Sequence, residues 1–188
     1  MLILASSAKH RKKILEDVGL KVDKMISPDV DETLLKGENP HLYVQRIAKL
    51  KAQKIYKDNK NAFIVSADSI ACVGKRVLLK PKDDVEQKKM LDLISGRKIS
   101  YLTGHCVISP DGRKSVRYCK TSAVIKRMTD KEKQDYIKLG EAKYYAGGFA
   151  VDGFSSKYVK QISGSYTNII GLCAYSVNNM LVGLGYKN

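Results

Sequence analysis

Residues 63–73, Phe-Ile-Val-Ser-Ala-Asp-Ser-Ile-Ala-Cys-Val, constrain this chain more than any other segment. So apolar a run, followed by the Gly74-Lys75 turn signal, reads as a buried strand. Asp68 stands in its middle. A carboxylate in such a strand carries a large desolvation cost unless it is paired, bound to metal or set at a cleft. The plainer alternative is a strand-end carboxylate that caps a loop.

The rest of the chain supplies elements to cover that strand. Leu2–Ala5 is a short apolar run that stops at Ser6-Ser7, and a helical pattern carrying Ile14, Leu15 and Val18 follows, ending near Gly19. Residues 27–39 are rich in Pro, Asp and Gly and read as loop. Pro40 suits the first turn of a helix running to about Tyr56. Gly74-Lys75 turns into Val77–Leu79, and Asp83 caps a helix through Ile94. Strands over about 99–109 and 114–127 flank the hairpin turn Pro110-Asp111-Gly112-Arg113. Thr129-x-x-Glu132 has the form of a capping box for a helix to about Leu139. A glycine-punctuated stretch from Gly140 to Gly171 holds a strand near 157–162, and a helix over about 174–184 follows. This pattern is α/β with substantial antiparallel pairing, without the strict alternation of a doubly wound sheet.

With 188 residues the chain is long enough for one domain with two lobes, and it needs no disulfide or metal staple. No apolar run approaches the length of a membrane span, and Met1–Ser7 is too short for a signal peptide. Cys72, Cys106, Cys119 and Cys173 form no Cys-x-x-Cys pair and read as buried reduced thiols. His10, His41 and His105 lack metal-ligand spacing, and no Gly-x-Ser-x-Gly elbow is present. The 34 Lys and Arg against 19 Asp and Glu give a net charge of +15, which suits nucleic acid, an anionic surface or a phosphate-rich substrate. With no Trp and three Phe, stacking platforms for a nucleic-acid binder are scarce apart from the tyrosines.

Several residues point to anion chemistry. Ser6-Ser7-Ala8-Lys9-His10-Arg11-Lys12-Lys13 lies where a strand hands over to a helix, and free backbone N–H groups there receive anions. A solvated helix start with Ser as N-cap is the alternative, disfavoured because the basic residues oppose the macrodipole. Lys51 falls in the apolar stripe Val44, Ile47, Ala48, Ile55, so it either snorkels or faces an anion. Lys80, before Pro81, reads more plainly as a surface lysine. Glu32, in the acidic loop 29–32, is a candidate second carboxylate for a divalent cation, or is simply solvated. A basic cradle with one or two carboxylates suits Mg²⁺-assisted attack of water on a polyphosphate.

These residues, in this order, resemble the Maf family of nucleoside triphosphate pyrophosphatases over nearly the whole chain, residues 1–188 being read as a single domain. The resemblance rests on Leu4-Ala5-Ser6-Ser7-x-x-x-Arg11, Tyr43-Val44 through Ala48, Lys51-Ala52, Ser66-Ala67-Asp68-Ser69, Lys80-Pro81-Lys82-Asp83 and Ile94-Ser95-Gly96-Arg97. Thr103-Gly104, Ala146-Gly147-Gly148-Phe149 and Gly164-Ser165-Tyr166-x-Asn168-x-x-Gly171-Leu172 complete it. It implies a cytoplasmic enzyme, often a homodimer, that cuts a nucleoside triphosphate between the α and β phosphates with Mg²⁺ or Mn²⁺. It also implies a two-lobed α/β fold with a mixed, largely antiparallel sheet, flanking helices and a cleft. No membrane or stable nucleic-acid partner is expected. Asp68 then matches the catalytic proton acceptor, Ser6, Arg11, Lys51 and Lys80 the phosphate site, and Glu32 and Asp68 the metal ligands. The family is also linked to inhibition of septum formation and to removal of modified nucleotides.

Three positions depart from common family patterns and bear on base choice. His10 stands where the family often has Arg or a Trp-bearing variant. Ser69 follows the acidic residue where Thr marks thymidine/uridine types and Gln methylated-guanosine types. Asp152 occupies the place of a Gln or Glu that reads the base. A small hydroxyl at Ser69 leans toward pyrimidines, whereas a carboxylate at Asp152 accepts from guanine N–H donors. The base preference stays open at this level.

Overall fold

The computed structural model describes residues 1–140 and 145–187. Its strands are β1 (Leu2–Leu4), β2 (Lys24–Met25), β3 (Phe63–Val73), β4 (Arg76–Leu78), β5 (Lys98–Ile108), β6 (Lys114–Ile125) and β7 (Val159–Ser163). Its helices are α1 (Lys9–Asp17), α2 (Pro40–Tyr56), α3 (Asp84–Ile94), α4 (Asp130–Lys138), α5 (Tyr166–Ile170) and α6 (Ala174–Gly183). Two 3₁₀ turns, Ala146–Gly148 and Gly153–Tyr158, lie in the glycine-rich stretch. The strands form one mixed seven-stranded sheet in the order β2-β1-β3-β5-β6-β7, with β4 pairing with β3. Both pairings of β1 are parallel, whereas β3–β4 and β6–β7 are antiparallel.

The chain divides into two compact units. The first comprises Met1–Ser69, Leu102–Cys119 and the segment from Ser165 to the C-terminus; the second comprises Ile70–Tyr101 and Lys120–Gly164. In the first unit β1 is buried on both faces, as expected of a strand with parallel neighbours. Alternation along β1 and β3 sorts the apolar side chains into two layers. Leu2, Leu4, Val65 and Ala67 pack with Ile14 and Leu15 of α1 and with Val177, Met180 and Leu181 of α6. Ile3, Ala5 and Ile64 pack with Ala48, Ala52 and Ile55 of α2. In the second unit Tyr136 and Phe149 meet edge to face at 5.6 Å, and the Tyr136 hydroxyl accepts from the Ala150 N–H at 2.9 Å.

Local signals place the helix ends. Asp83 accepts from the Glu86 N–H at 2.7 Å, and Thr129 and Glu132 close a complete capping box. The hairpin closes through Gly112, with φ +83° and its N–H on Ser109 O. β2, the 3₁₀ turns and α5 carry no comparable sequence signal, and none is longer than six residues. Among the described residues no helix is long and apolar enough to cross a membrane.

Close approach of α2 to β5 depends on one missing side chain. A Cβ on Gly104 would lie 2.1 Å from Val44 O and 2.6 Å from Gln45 N, both backbone atoms of α2. The hydroxyl of Ser66 in β3 adds a buried tie to α2, donating to Ala48 O at 2.6 Å. Gly104→Ala is therefore expected to cost about 3 kcal/mol or more, since the helix must move off the sheet, as measured by urea denaturation.

Candidate active site

The site in the first unit forms beyond the C-terminal end of β1 and beside the middle of β3. Alternation along β3 decides which partner each residue meets. Ile64, Ser66 and Asp68 share the face covered by α2; Val65, Ala67 and Ser69 share the face covered by α1 and α6.

On the α2 face, Lys51 Nζ lies 2.7 Å from Asp68 Oδ1 and 2.9 Å from Glu32 Oε1. Lys51 and Asp68 are buried, while the Glu32 side chain is half exposed. Lys51 therefore faces anions; it does not snorkel. Burial pushes the Asp68 carboxyl above its ordinary value, against the opposing pull of the Lys51 charge and hydrogen bond; Glu32 raises it further and Arg11 lowers it. Glu32 sits in a loop made specific by two anchors. The Tyr43 hydroxyl donates to Glu32 O at 2.9 Å, and Arg46 forks onto Glu38 with both contacts at 2.7 Å while its Nη2 donates to Thr33 O. Burial, followed by the Asp68 and Glu32 charges, pushes the Tyr43 hydroxyl up to about 12, so it remains a donor.

On the other face, Arg11 reaches from α1 across the strand ends. Its Nε donates to Gly171 O at 2.9 Å, its Nη1 to Ala67 O at 2.7 Å and Ser6 Oγ at 3.3 Å, and its Nη2 to Ser69 Oγ at 3.3 Å. Ser69 Oγ also meets Thr103 Oγ1 at 2.9 Å and Gly171 O at 3.2 Å. Burial lowers the Arg11 guanidinium from its usual value, opposed by Asp68 and Glu32. Behind this network His105 Nε2 accepts from the Cys173 N–H at 2.9 Å, and burial, with Arg11 nearby, pushes the imidazole down to about 3. His105 is thus neutral.

The start of α1 is basic and lacks a side-chain cap. Its N-cap is Ala8, not a serine, with no side-chain cap and no acidic residue in the first turn. Ser6, buried, instead accepts from Ala8 N at 3.1 Å and from Arg11. The first helical N–H groups thus have no acidic competitor in their own helix.

The structure brings Ser6, Arg11, Glu32, Lys51, Asp68 and Ser69 into one set of contacts. His10 is exposed at the α1 start, where its Nε2 would lie 3.1 Å from a Cβ placed on Gly171. Lys80 and Asp152 belong to the second unit and are exposed, Lys80 just beyond β4 and Asp152 just before the second 3₁₀ turn. Tyr43, Thr103 and Gly171 belong to the quoted motifs, but their supporting roles depend on partners far away in sequence, and His105 carried no signal beyond its residue type. Among the described residues no group of three or more His, Cys, Asp or Glu is arranged to hold a metal ion.

Fold and site together define a mixed α/β protein whose first unit joins a converging carboxylate pair, a buried ammonium and an uncapped basic helix start. The family model described as Maf-like protein matches residues 1–184, and the chain belongs to that family. A protein of Caulobacter vibrioides named dTTP/UTP pyrophosphatase is 36% identical over 186 residues, covering 99% of this chain and 96% of its own. One of Anaplasma phagocytophilum, named nucleoside triphosphate pyrophosphatase, is 35% identical over 182 residues, covering 97% and 94%. Among solved structures, the Staphylococcus aureus Ham1 protein aligns with a TM-score of 0.45 at 16% identity, covering 84% of this chain and 79% of that one.

The buried cation governs the charge state beside it. Removing Lys51 takes away the strongest influences that hold the Asp68 carboxyl down. Lys51→Met is expected to move the Asp68 carboxyl titration, followed by ¹³C NMR, to higher pH. A folded-state value raised above the unfolded one gives stability that is present at low pH and lost as pH rises through it. The variant should therefore lose more stability than the parent between acid and neutral pH.

Proposed function

We propose that this chain is a nucleoside triphosphate pyrophosphatase: water attacks the triphosphate, the α–β anhydride breaks, and a nucleoside monophosphate and pyrophosphate leave. The observation that carries this reading is Asp68 held at 2.7 Å from a buried ammonium, next to an Arg11-anchored helix start that lacks its own cap. The names borne by its relatives support the reaction and favour dTTP and UTP as substrates.

In this reading Asp68 accepts the proton of the attacking water, for which a carboxyl raised above its usual value is the better base near neutrality. Lys51 has three N–H donors, and Glu32 and Asp68 take two of them, so the third is left for a phosphate oxygen. Ser6, the first N–H groups of α1 and the remaining N–H of Arg11 complete the cradle. Ser69 acts through Arg11, fixing the plane of its guanidinium.

A divalent cation fits the donor set. Glu32 and Asp68 already converge on one cation, Lys51 Nζ, at 2.9 and 2.7 Å, and two carboxylates with substrate phosphates suffice for Mg²⁺ or Mn²⁺. When bound, such an ion polarises the phosphoryl group and neutralises developing charge. Lys80 is assigned to the phosphates on its family motif, and His10, Ser69 and Asp152 to base choice. Cytoplasmic location and a homodimer belong to the same reading.

The test is product analysis over a panel of nucleoside triphosphates with Mg²⁺ or Mn²⁺, including dTTP, UTP, GTP and methylated GTP, scoring pyrophosphate against orthophosphate. We expect pyrophosphate, fastest from dTTP and UTP. Asp68→Asn should lower kcat about 10²- to 10⁴-fold, the range of a general base. Its circular dichroism should be unchanged, since Lys51 keeps Glu32 as counter-ion. Orthophosphate as product would replace the reaction, and no turnover across the panel would leave nucleotide binding as the function.

A further inference from the structure

Two residues of β5 reach toward the segment that carries Gly171, all within the first unit. Thr103 and His105 are two positions apart and share the face of the strand that Val107 turns to the α1/α6 core. Thr103 Oγ1 donates to Asn168 O at 3.3 Å, and His105 Nε2 accepts from the Cys173 N–H at 2.9 Å. The turn over residues 168–173 is thus tied to the sheet at both ends. Between the ties stands Gly171, whose carbonyl takes Arg11 Nε at 2.9 Å and Ser69 Oγ at 3.2 Å. The turn is closed on itself by the Gly171 and Leu172 N–H groups, both on Thr167 O, so it moves as a piece. The β5 ties therefore set where its carbonyl meets Arg11.

The tie at Cys173 needs an acceptor and not merely a filled volume. Cys173 is the buried N-cap of α6, so its N–H lies outside that helix's own bonding. A ring nitrogen that accepts carries no proton, which puts the proton of the neutral imidazole on Nδ1. Nδ1 is buried and has no hydrogen-bond partner among the described residues. The ring thus brings an unpartnered donor that an apolar side chain of similar size would not bring. What it supplies, and an apolar side chain cannot, is an uncharged acceptor at a fixed point. Burial, reinforced by the Arg11 charge, holds the imidazole down at about 3, so Nε2 stays an acceptor through the neutral range.

We propose that His105 is a positioning residue for the phosphate cradle: through the Cys173 N–H it seats the turn that carries Gly171 O, and through that carbonyl it fixes the Arg11 guanidinium. The inference rests on reading Arg11 as part of the phosphate site. With the Cys173 tie removed, the turn tilts about its Thr103 tie and Gly171 O draws away from Arg11 Nε. Arg11 keeps Ala67 O, which β3 supplies, and pivots on that bond.

In the parent protein, long-range ¹H–¹⁵N NMR should show the His105 proton on Nδ1, and the Arg11 Nε–H should give a slowly exchanging signal. His105→Leu removes the acceptor, whereas His105→Gln places an amide oxygen where Nε2 stands. We expect His105→Leu to shift the Arg11 Nε–H signal, speed its exchange and weaken the binding of inorganic pyrophosphate with Mg²⁺ about tenfold by calorimetry. His105→Gln should restore both toward the parental values. On dTTP, His105→Leu should raise KM more than it lowers kcat, whereas a mere loss of folded protein would lower kcat alone. The NMR signal and pyrophosphate binding need no turnover, so an absence of hydrolysis overturns the proposed reaction and not the role of His105. That role is overturned if the parental proton sits on Nε2, or if folded His105→Leu leaves the Arg11 signal and the pyrophosphate affinity unchanged. It is equally overturned if His105→Gln behaves as His105→Leu does. The parental tautomer keeps the test decisive even where a variant fails to fold.

Discussion

A buried ammonium between two carboxylates organises this protein. Lys51 and Asp68 come from a helix and a strand that bury them and would not tolerate either charge alone, while Glu32 reaches in from a half-exposed loop. Lys51 is the middle of an otherwise apolar stripe, and Asp68 the middle of an otherwise apolar strand. Together they form a pair whose remaining donor capacity points to an anionic ligand. Burial pushes the Asp68 carboxyl up and its cation pulls it down, and burial prevails.

That pair depends on how closely α2 lies against the sheet. Gly104 lets the backbone of α2 contact β5 directly, and Ser66 ties β3 to the same helix. Arg11 performs the equivalent task on the opposite face, with backbone carbonyls of Ala67 and Gly171 and the hydroxyls of Ser6 and Ser69 as its partners. An arginine so engaged is a frame for the α1 start as well as a positive charge. Lysine, with a single ammonium, could not span these acceptors.

Much of this was legible in the chain because the signals are local. Asp83 and Thr129 announce their helices through hydrogen bonds that close within three residues. Pro40 begins α2 and Gly112 turns the hairpin for reasons that one residue's backbone supplies. Asp68 and Lys51 stand out because each violates the apolar pattern around it. The partners of the Ser69 hydroxyl, by contrast, are Arg11, Thr103 and Gly171, all distant in sequence and placed by the fold.

Local residue patterns carry the longer elements of a mixed α/β chain, the caps and turns, the anomalous charges and the family motifs. Each of these is a pattern read over a few neighbouring residues or carried by residue identity. Packing alone brings Lys51 to both Glu32 and Asp68 and lets Arg11 clamp Gly171. Those contacts join residues many positions apart. Which of them form depends on strand order, on the face each side chain takes and on how closely a helix can approach the sheet.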